Sequence, residues 1–369
     1  MELVFLKAKQ RLAKEISNKG TTPYPLTKNF TSEHVEVSKT KKGLHNLLKT
    51  LQTQAASGAC LHKGLLKRPL KNESRAMMAD RIASTELLVL DIDGIQMPGN
   101  LTDVRTVAEK IIAQLPECFQ DVSYIAQASA SLGFKKDKVS MHFFFLLDQP
   151  TQPKILKEWF KLLNYETDIL SSQLFLSANG QSLSYKLDPS VAENSKIIYI
   201  APPTFKDDIQ DPISGDRFVL VERGSVTIDP RPLLVHVNPE RVHNLGVQIK
   251  DGLRKKLNLP KKTSKLSTVS IGGEAQEVLQ NPDKMTIEIS RVNEPYVNCN
   301  VNGGDSNGYY FVLTNPHYMY NFKGEPVWEI QKADPDFYRN IFEIFADKID
   351  KDKKIKPVAL RDFYTDTYY

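Results

Sequence analysis

Leu44, Leu47, Leu48 and Leu51 fall on one side of a 3.6-residue period, which predicts an amphipathic helix over 43–56. The run Leu87-Leu-Val-Leu90 leading into Asp91 predicts a buried strand over 86–91, followed by a helix over 101–115. Strands are predicted over 123–131 and 138–147. The stretch from Met141 to Leu147 is too continuously apolar for a strand with one wet face, so it belongs inside a covered sheet. A short helix over 155–163 is entered past Pro153. A strand over 196–201 is stopped by Pro202 and Pro203. Residues 217–222 and 225–228 read as a hairpin turning at Arg223-Gly224. Beyond Pro239 a helix runs to 253 and enters the basic stretch 254–265, a linker ending near Gly272-Gly273. From about 274 onward Asn, Gly, Tyr and Phe become prominent. The division expected is 1–235 as the main domain, 236–273 as helix and basic linker, and 274–369 as a small second domain.

With 369 residues, 41% hydrophobic and 25% charged, the chain has the composition of a folded protein with ample core. A net charge of +5 is compatible with a polyanionic partner without requiring one. Cys60, Cys118 and Cys299 lie far apart, which fits a reducing compartment and supplies neither a disulfide framework nor a four-cysteine zinc knuckle. No apolar run reaches the roughly 20 residues that span a bilayer, and Leu3-Val-Phe-Leu6 is too short for a signal-peptide core. The expectation is a cytoplasmic protein with no membrane partner.

Three polar clusters carry the candidate chemistry. In Leu87-Leu-Val-Leu-Asp91-Ile-Asp93-Gly94 the two carboxylates, two apart on a strand, share a face. Such a pair can bridge divalent cations for phosphoryl or nucleotidyl transfer; its plain alternative is a solvated strand end turning at Gly94. In Lys138-Val-Ser140-Met-His142, Ser140 and His142 share a face while Val139, Met141, Phe143 and Phe145 take the other. His142 is then either a satisfied core histidine or a donor to a phosphate, assisted by Ser140 and the nearby Lys135, Lys136 and Lys138. In Ser184-Tyr-Lys-Leu-Asp188-Pro189, Asp188 is a turn former or the third carboxylate of a metal site.

Taken together, Asp91-Ile-Asp93, Ser140-Met-His142 and Asp188 resemble the three motifs of the archaeo-eukaryotic primase superfamily: a hydrophobic strand ending in DxD, a strand with SxH, and a later acid. Ala128-Ser-Ala-Ser131 before the SxH strand, Ile198-Tyr-Ile-Ala-Pro-Pro-Thr-Phe205 and Asp211-Pro resemble the primase-polymerases of phages and integrative elements, as do Lys63-Gly64 and Glu73-Ser-Arg75-Ala76. The resemblance covers about residues 40–230, and Asn321-Phe-Lys-Gly-Glu-Pro326 resembles an accessory-domain motif of the same proteins.

The resemblance implies an α/β (α+β) fold: an RRM-like antiparallel sheet beside an N-terminal α/β module, plus a small C-terminal accessory domain. It implies that Asp91, Asp93 and Asp188 hold two Mg²⁺ or Mn²⁺ ions, and that Ser140, His142 and Lys138 contact the incoming nucleotide. Lys135, Lys136 and Lys323 are candidate nucleic-acid contacts. The implied activity is a DNA primase or polymerase acting on a single-stranded DNA template with NTP or dNTP substrates. A replicative helicase in cis or in trans would be its partner in phage or mobile-element replication, in the cytoplasm of a bacterial host. The chain departs from many primases in having no zinc knuckle, and it carries no GxxxxGK[ST] loop.

Two other classes compete. The DxDG sequence also resembles the first motif of haloacid-dehalogenase-type phosphatases, with Asp91 as nucleophile. That reading leaves Ser140 and His142 unexplained, and Gly304-Asp305-Ser-Asn-Gly308 lacks the second acid of their late motif. A non-catalytic DNA-binding replication initiator would leave all three polar clusters without a role.

Overall fold

The computed structural model describes residues 1–177, 182–213, 215–235 and 237–257, together with a set of strands between 267 and 329. The chain divides into two compact units: Met1–Phe175 with Leu183–Ile249, and Leu176–Ser182 with Lys250–Tyr369.

The first unit begins with β1 (Glu2–Lys7), the short strands β2 (Glu15–Ser17) and β3 (Gly20–Thr22), and β4 (Asn29–Glu36). Helix α1 (Lys41–Ala56), β5 (Cys60–His62) and β6 (Glu73–Ser74) follow. The helix starts where Thr40 caps it, its side chain accepting from the Gly43 amide at 3.0 Å. Strands β1, β4, β5 and β6 join Ile197–Tyr199 in a five-stranded antiparallel sheet in the order Ile197–Tyr199, β5, β1, β4, β6, while β2 and β3 form a separate small sheet with Thr204–Phe205. Alternation divides its side chains. Leu3, Phe5 and Leu61 join Leu44, Leu47 and Leu51 of α1 in the main core, while Val4, Leu6 and Cys60 form a smaller one with Leu66 and Leu70.

The second sheet is built from β7 (Thr85–Gln96), α2 (Val104–Ile112), β8 (Tyr124–Ala128), β9 (Lys138–Thr151) and α3 (Pro153–Glu166). Strand β9 lies between β7 and β8, antiparallel to both. On the free edge of β7, Ile92 bridges Leu187 in antiparallel sense, flanked by Asp93 N–H to Lys186 O at 2.8 Å and Asp188 N–H to Asp91 O at 2.9 Å. The chain thus follows a β-α-β-β-α-β path whose last element has shrunk to residues 186–188, and its spatial order is 186–188, β7, β9, β8. Strand Phe218–Val221 extends the sheet beyond β8. The apolar residues of 141–147 are fully buried, as their continuity requires. Phe143 and Phe145 meet the Tyr124 ring, and Phe119 stacks on Trp159 of α3 with ring centroids 5.5 Å apart. One face of β9 is therefore packed under the helices, and the other presents Ser140 and His142. The architecture is mixed α/β of the α+β kind, with several antiparallel sheets.

The hairpin expected around Arg223-Gly224 does not form. Phe218–Val221 pairs antiparallel with β8, whereas Thr227–Ile228 pairs parallel with the far end of β9. The cause is a mismatch in length: the 14-residue β9 outruns the five-residue β8 and leaves an edge for Thr227–Ile228 to fill. A Cβ at Gly224 would meet the Asp121 carboxylate at 2.8 Å, so a larger residue there would make that side chain move.

In the second unit, seven strands order as Ser267–Ile271, Glu274–Gln280, Val327–Glu329, Tyr318–Asn321, Gly308–Phe311, Val297–Val301 and Ile287–Val292. Helix Pro239–Lys256 runs into the stretch read as linker. No helix among the described residues is long and apolar enough to cross a membrane.

Candidate active site

The polar clusters meet on one face of the second sheet, across β7 and β9. Asp91 and His142 are register partners across β7 and β9, and His142 Nε2 stands 3.4 Å from Asp91 Oδ1. Past Ile92 the register shifts, so that Asp93 and Gly94 form a bulge opposite Ser140. Gly94 adopts φ +64°, a left-handed conformation that favours glycine. That turn brings the Gly94 amide to Ser140 Oγ at 3.0 Å, while the Ser140 hydroxyl donates to Asp93 Oδ1 at 2.6 Å. The DxDG sequence is thus the bulge that aims Asp93 at the SxH serine.

Asp188 enters from outside β7. Its segment is clamped by Asn164 of α3, a fully buried side chain. Asn164 Oδ1 accepts from the Lys186 and Leu187 amides at 3.0 Å each, and its Nδ2 donates to Leu187 O and Phe160 O at 2.8 Å each. Every donor and acceptor of this buried amide is used, so the segment is fixed against the helix. The Asp188 carboxylate caps a 3₁₀ turn over Pro189–Ala192, accepting from the Ser190 amide and hydroxyl at 2.8 Å each. It also pairs with Lys196 at 2.9 Å. It is therefore a turn former as well as a neighbour of Asp91.

Burial raises the Asp91 carboxyl, but the charges of His142, Lys196 and Lys14 outweigh it and hold the group below the usual range. The Lys186 ammonium is pushed down by burial, against the pull of Asp93, and Lys138 pushes it the same way. It donates to Gly94 O at 2.9 Å. Tyr24 stacks on Tyr199 with ring centroids 3.7 Å apart and planes at 8°, and Lys14 Nζ lies 5.1 Å from its centroid. Its hydroxyl is pushed up by burial and by the negative charges of Asp91 and Asp93.

Of the residues singled out in the sequence, the structure brings together Asp91, Asp93, Ser140 and His142 and ties Asp188 to them through the main chain. Lys138 is exposed at the start of β9, and Lys135 and Lys136 are exposed in the loop before it. Lys323 lies outside the described residues, as does Asp305. Asn164, Gln127, Lys186, Lys196, Lys14 and Tyr24 were not singled out as functional residues. An isolated Asn in a helical pattern or Gln in a strand carries no sequence signal until its burial is known.

Three carboxylates are the hard oxygen donors that Mg²⁺ or Mn²⁺ takes. Here each is engaged by protein donors: Asp91 by His142, Asp93 by Ser140, Asp188 by Ser190 and Lys196. Among the described residues no group of three or more His, Cys, Asp or Glu is arranged to hold a metal ion. Mg²⁺ commonly takes only one or two carboxylates, with substrate phosphates and water completing its shell. The donor chemistry is that of Mg²⁺ or Mn²⁺, with most of the coordination shell left to other ligands.

No protein-family description, no curated protein and no solved structure matches this chain.

Proposed function

We propose that this chain is a template-directed nucleotidyltransferase of the primase-polymerase kind, joining NTP or dNTP units on single-stranded DNA. The observation that carries the reading is the convergence on one sheet face: Asp91 against His142, Asp93 against Ser140, and Asp188 hydrogen-bonded through its amide to Asp91. The β-α-β-β-α-β path beside a five-stranded sheet with α1 is in keeping with the RRM-like sheet and N-terminal module that the resemblance implies.

Asp91, Asp93 and Asp188 would hold Mg²⁺ or Mn²⁺. A bound pair of such ions lowers the pKa of the attacking 3′-hydroxyl and neutralises the leaving pyrophosphate. The side chains do the rest. Asp91 is kept ionised by the cations around it, and Ser140 holds one oxygen of Asp93 in place. Lys196 pairs with the Asp188 carboxylate at 2.9 Å and holds it ionised and oriented. His142, with Lys138 at the mouth of β9, offsets charge growing on the phosphates. A replicative helicase would open the template.

The test is nucleotide incorporation on unprimed single-stranded DNA with Mg²⁺ or Mn²⁺, run beside the Asp91→Ala/Asp93→Ala double variant. Products from the unmutated protein alone support the reading. No products on unprimed or primed templates, with phosphatase activity present, would overturn it.

A further inference from the structure

We infer that Gln127 is a positioning residue that dictates which ring nitrogen of His142 faces Asp91. Gln127, His142 and Asp91 form one row across three strands: Gln127 of β8 is the register partner of His142 in β9, which is in turn the partner of Asp91 in β7. Gln127 is 3% exposed and lies among apolar neighbours, where an unpaired amide would be costly. Its Nε2 donates to the main-chain carbonyl of Ile200 at 2.8 Å. A carbonyl only accepts, so the amide nitrogen has to face Ile200, and the amide oxygen is thereby turned to His142 Nδ1, 3.0 Å away. That oxygen also only accepts, so Nδ1 carries a hydrogen, and Nε2 is the nitrogen that faces the Asp91 carboxylate at 3.4 Å and pairs with it when it carries the second hydrogen of an imidazolium. Ile200 is fully buried and follows the Ile197–Tyr199 strand of the first sheet. The orientation of the candidate phosphate donor is thus set by a fixed carbonyl, relayed through one side chain. A ring without that bond can turn over and offer Asp91 a carbon edge.

The experiment uses the full chain with ¹⁵N-labelled histidine. Long-range ¹H–¹⁵N spectra at neutral pH report which ring nitrogen bears hydrogen, and the His142 signals are identified by their loss in His142→Ala. Gln127→Glu keeps the acceptor toward Nδ1, whereas Gln127→Leu removes it. The unmutated protein and Gln127→Glu should show Nδ1–H, and Gln127→Leu should lose it. A Gln127→Leu ring that keeps Nδ1–H overturns the inference. Should that variant not fold, a folded Gln127→Glu protein with hydrogen on Nε2 alone overturns it equally.

The catalytic consequence rests on the nucleotidyltransferase reading. Nucleotide KM should rise on the order of tenfold in Gln127→Leu and recover in Gln127→Glu, the size typical of partners that orient a functional histidine. The expected spectra from a protein that incorporates no nucleotide would leave the Gln127 inference standing and remove the reading of the activity.

Discussion

The main-chain amide of Asp188 donates to the main-chain carbonyl of Asp91 at 2.9 Å. This places the third acid beside the first through the sheet itself, independently of any side-chain contact. The Asp188 carboxylate is then free to do two things, capping the turn at Ser190 and pairing with Lys196.

Those two duties separate by substitution. Asp188→Asn keeps an acceptor for the Ser190 amide and removes the charge, so it should abolish nucleotide incorporation while leaving the urea midpoint nearly unchanged. Asp188→Ala should also lose the cap, at about 1 kcal/mol of stability. An active Asp188→Asn protein would remove this residue from the chemistry.

Asn164 makes four hydrogen bonds from a fully buried position, two of them to the amides preceding Asp188. Asn164→Leu keeps the number and branching of side-chain heavy atoms but strands those buried groups, which should cost about 3 kcal/mol. Denaturant unfolding measures it, and incorporation should fall more steeply than the folded fraction. A loss below about 0.5 kcal/mol, a surface-like value, would show that the clamp is not needed.

Lys63 is 3% exposed and its ammonium meets Thr85 Oγ1 at 3.1 Å and Leu87 O at 2.7 Å. Burial pushes its pKa down to about 7. The folded value lies below the unfolded one of about 10.4, so between them the unfolded chain binds the extra proton and stability rises with pH. The difference in unfolding free energy between the unmutated protein and Lys63→Met should therefore shift in favour of the lysine from about pH 7 to about pH 10. A difference independent of pH across that window would mean the amine is not buried as a neutral group.

At Gly94 the backbone angle matters more than the space. Its φ is +64°, and the nearest atom to an added Cβ is Lys186 Nζ at 3.9 Å. Gly94→Val should cost about 1–2 kcal/mol from conformational strain, and Gly94→Asn clearly less, because Asn tolerates left-handed geometry. Equal thermal melting points for the two variants would count against strain as the cause.

What could be read in the sequence was whatever depends on local period. The leucine spacing in α1, the covered run in β9, and the shared face of Ser140 with His142 follow from the geometry of one helix or one strand, whereas Asp93 meets Ser140 through a bulge. What could not be read depends on partners far along the chain. Arg223-Gly224 has the composition of a hairpin turn, yet neighbouring edges of unequal length pull its two flanks apart. Asn164 and Gln127 look like ordinary surface polar residues until the segments they hold are known. Strand 196–201 was foreseen as an element, here Ile197–Tyr199, but its partner β5 was not.

That partner has a temporal meaning. Strand β5 is made early in synthesis, and one of its edges is satisfied only by Ile197–Tyr199. At roughly 5–20 residues per second, the ribosome takes many seconds to deliver the missing strand. Meanwhile the nascent N-terminal half carries a bare edge, open to pairing with another chain. Completion of the first sheet and arrival of the Asp188 segment belong to the same short stretch of translation, residues 188–199, so the nascent protein acquires its first sheet and its three acids almost together.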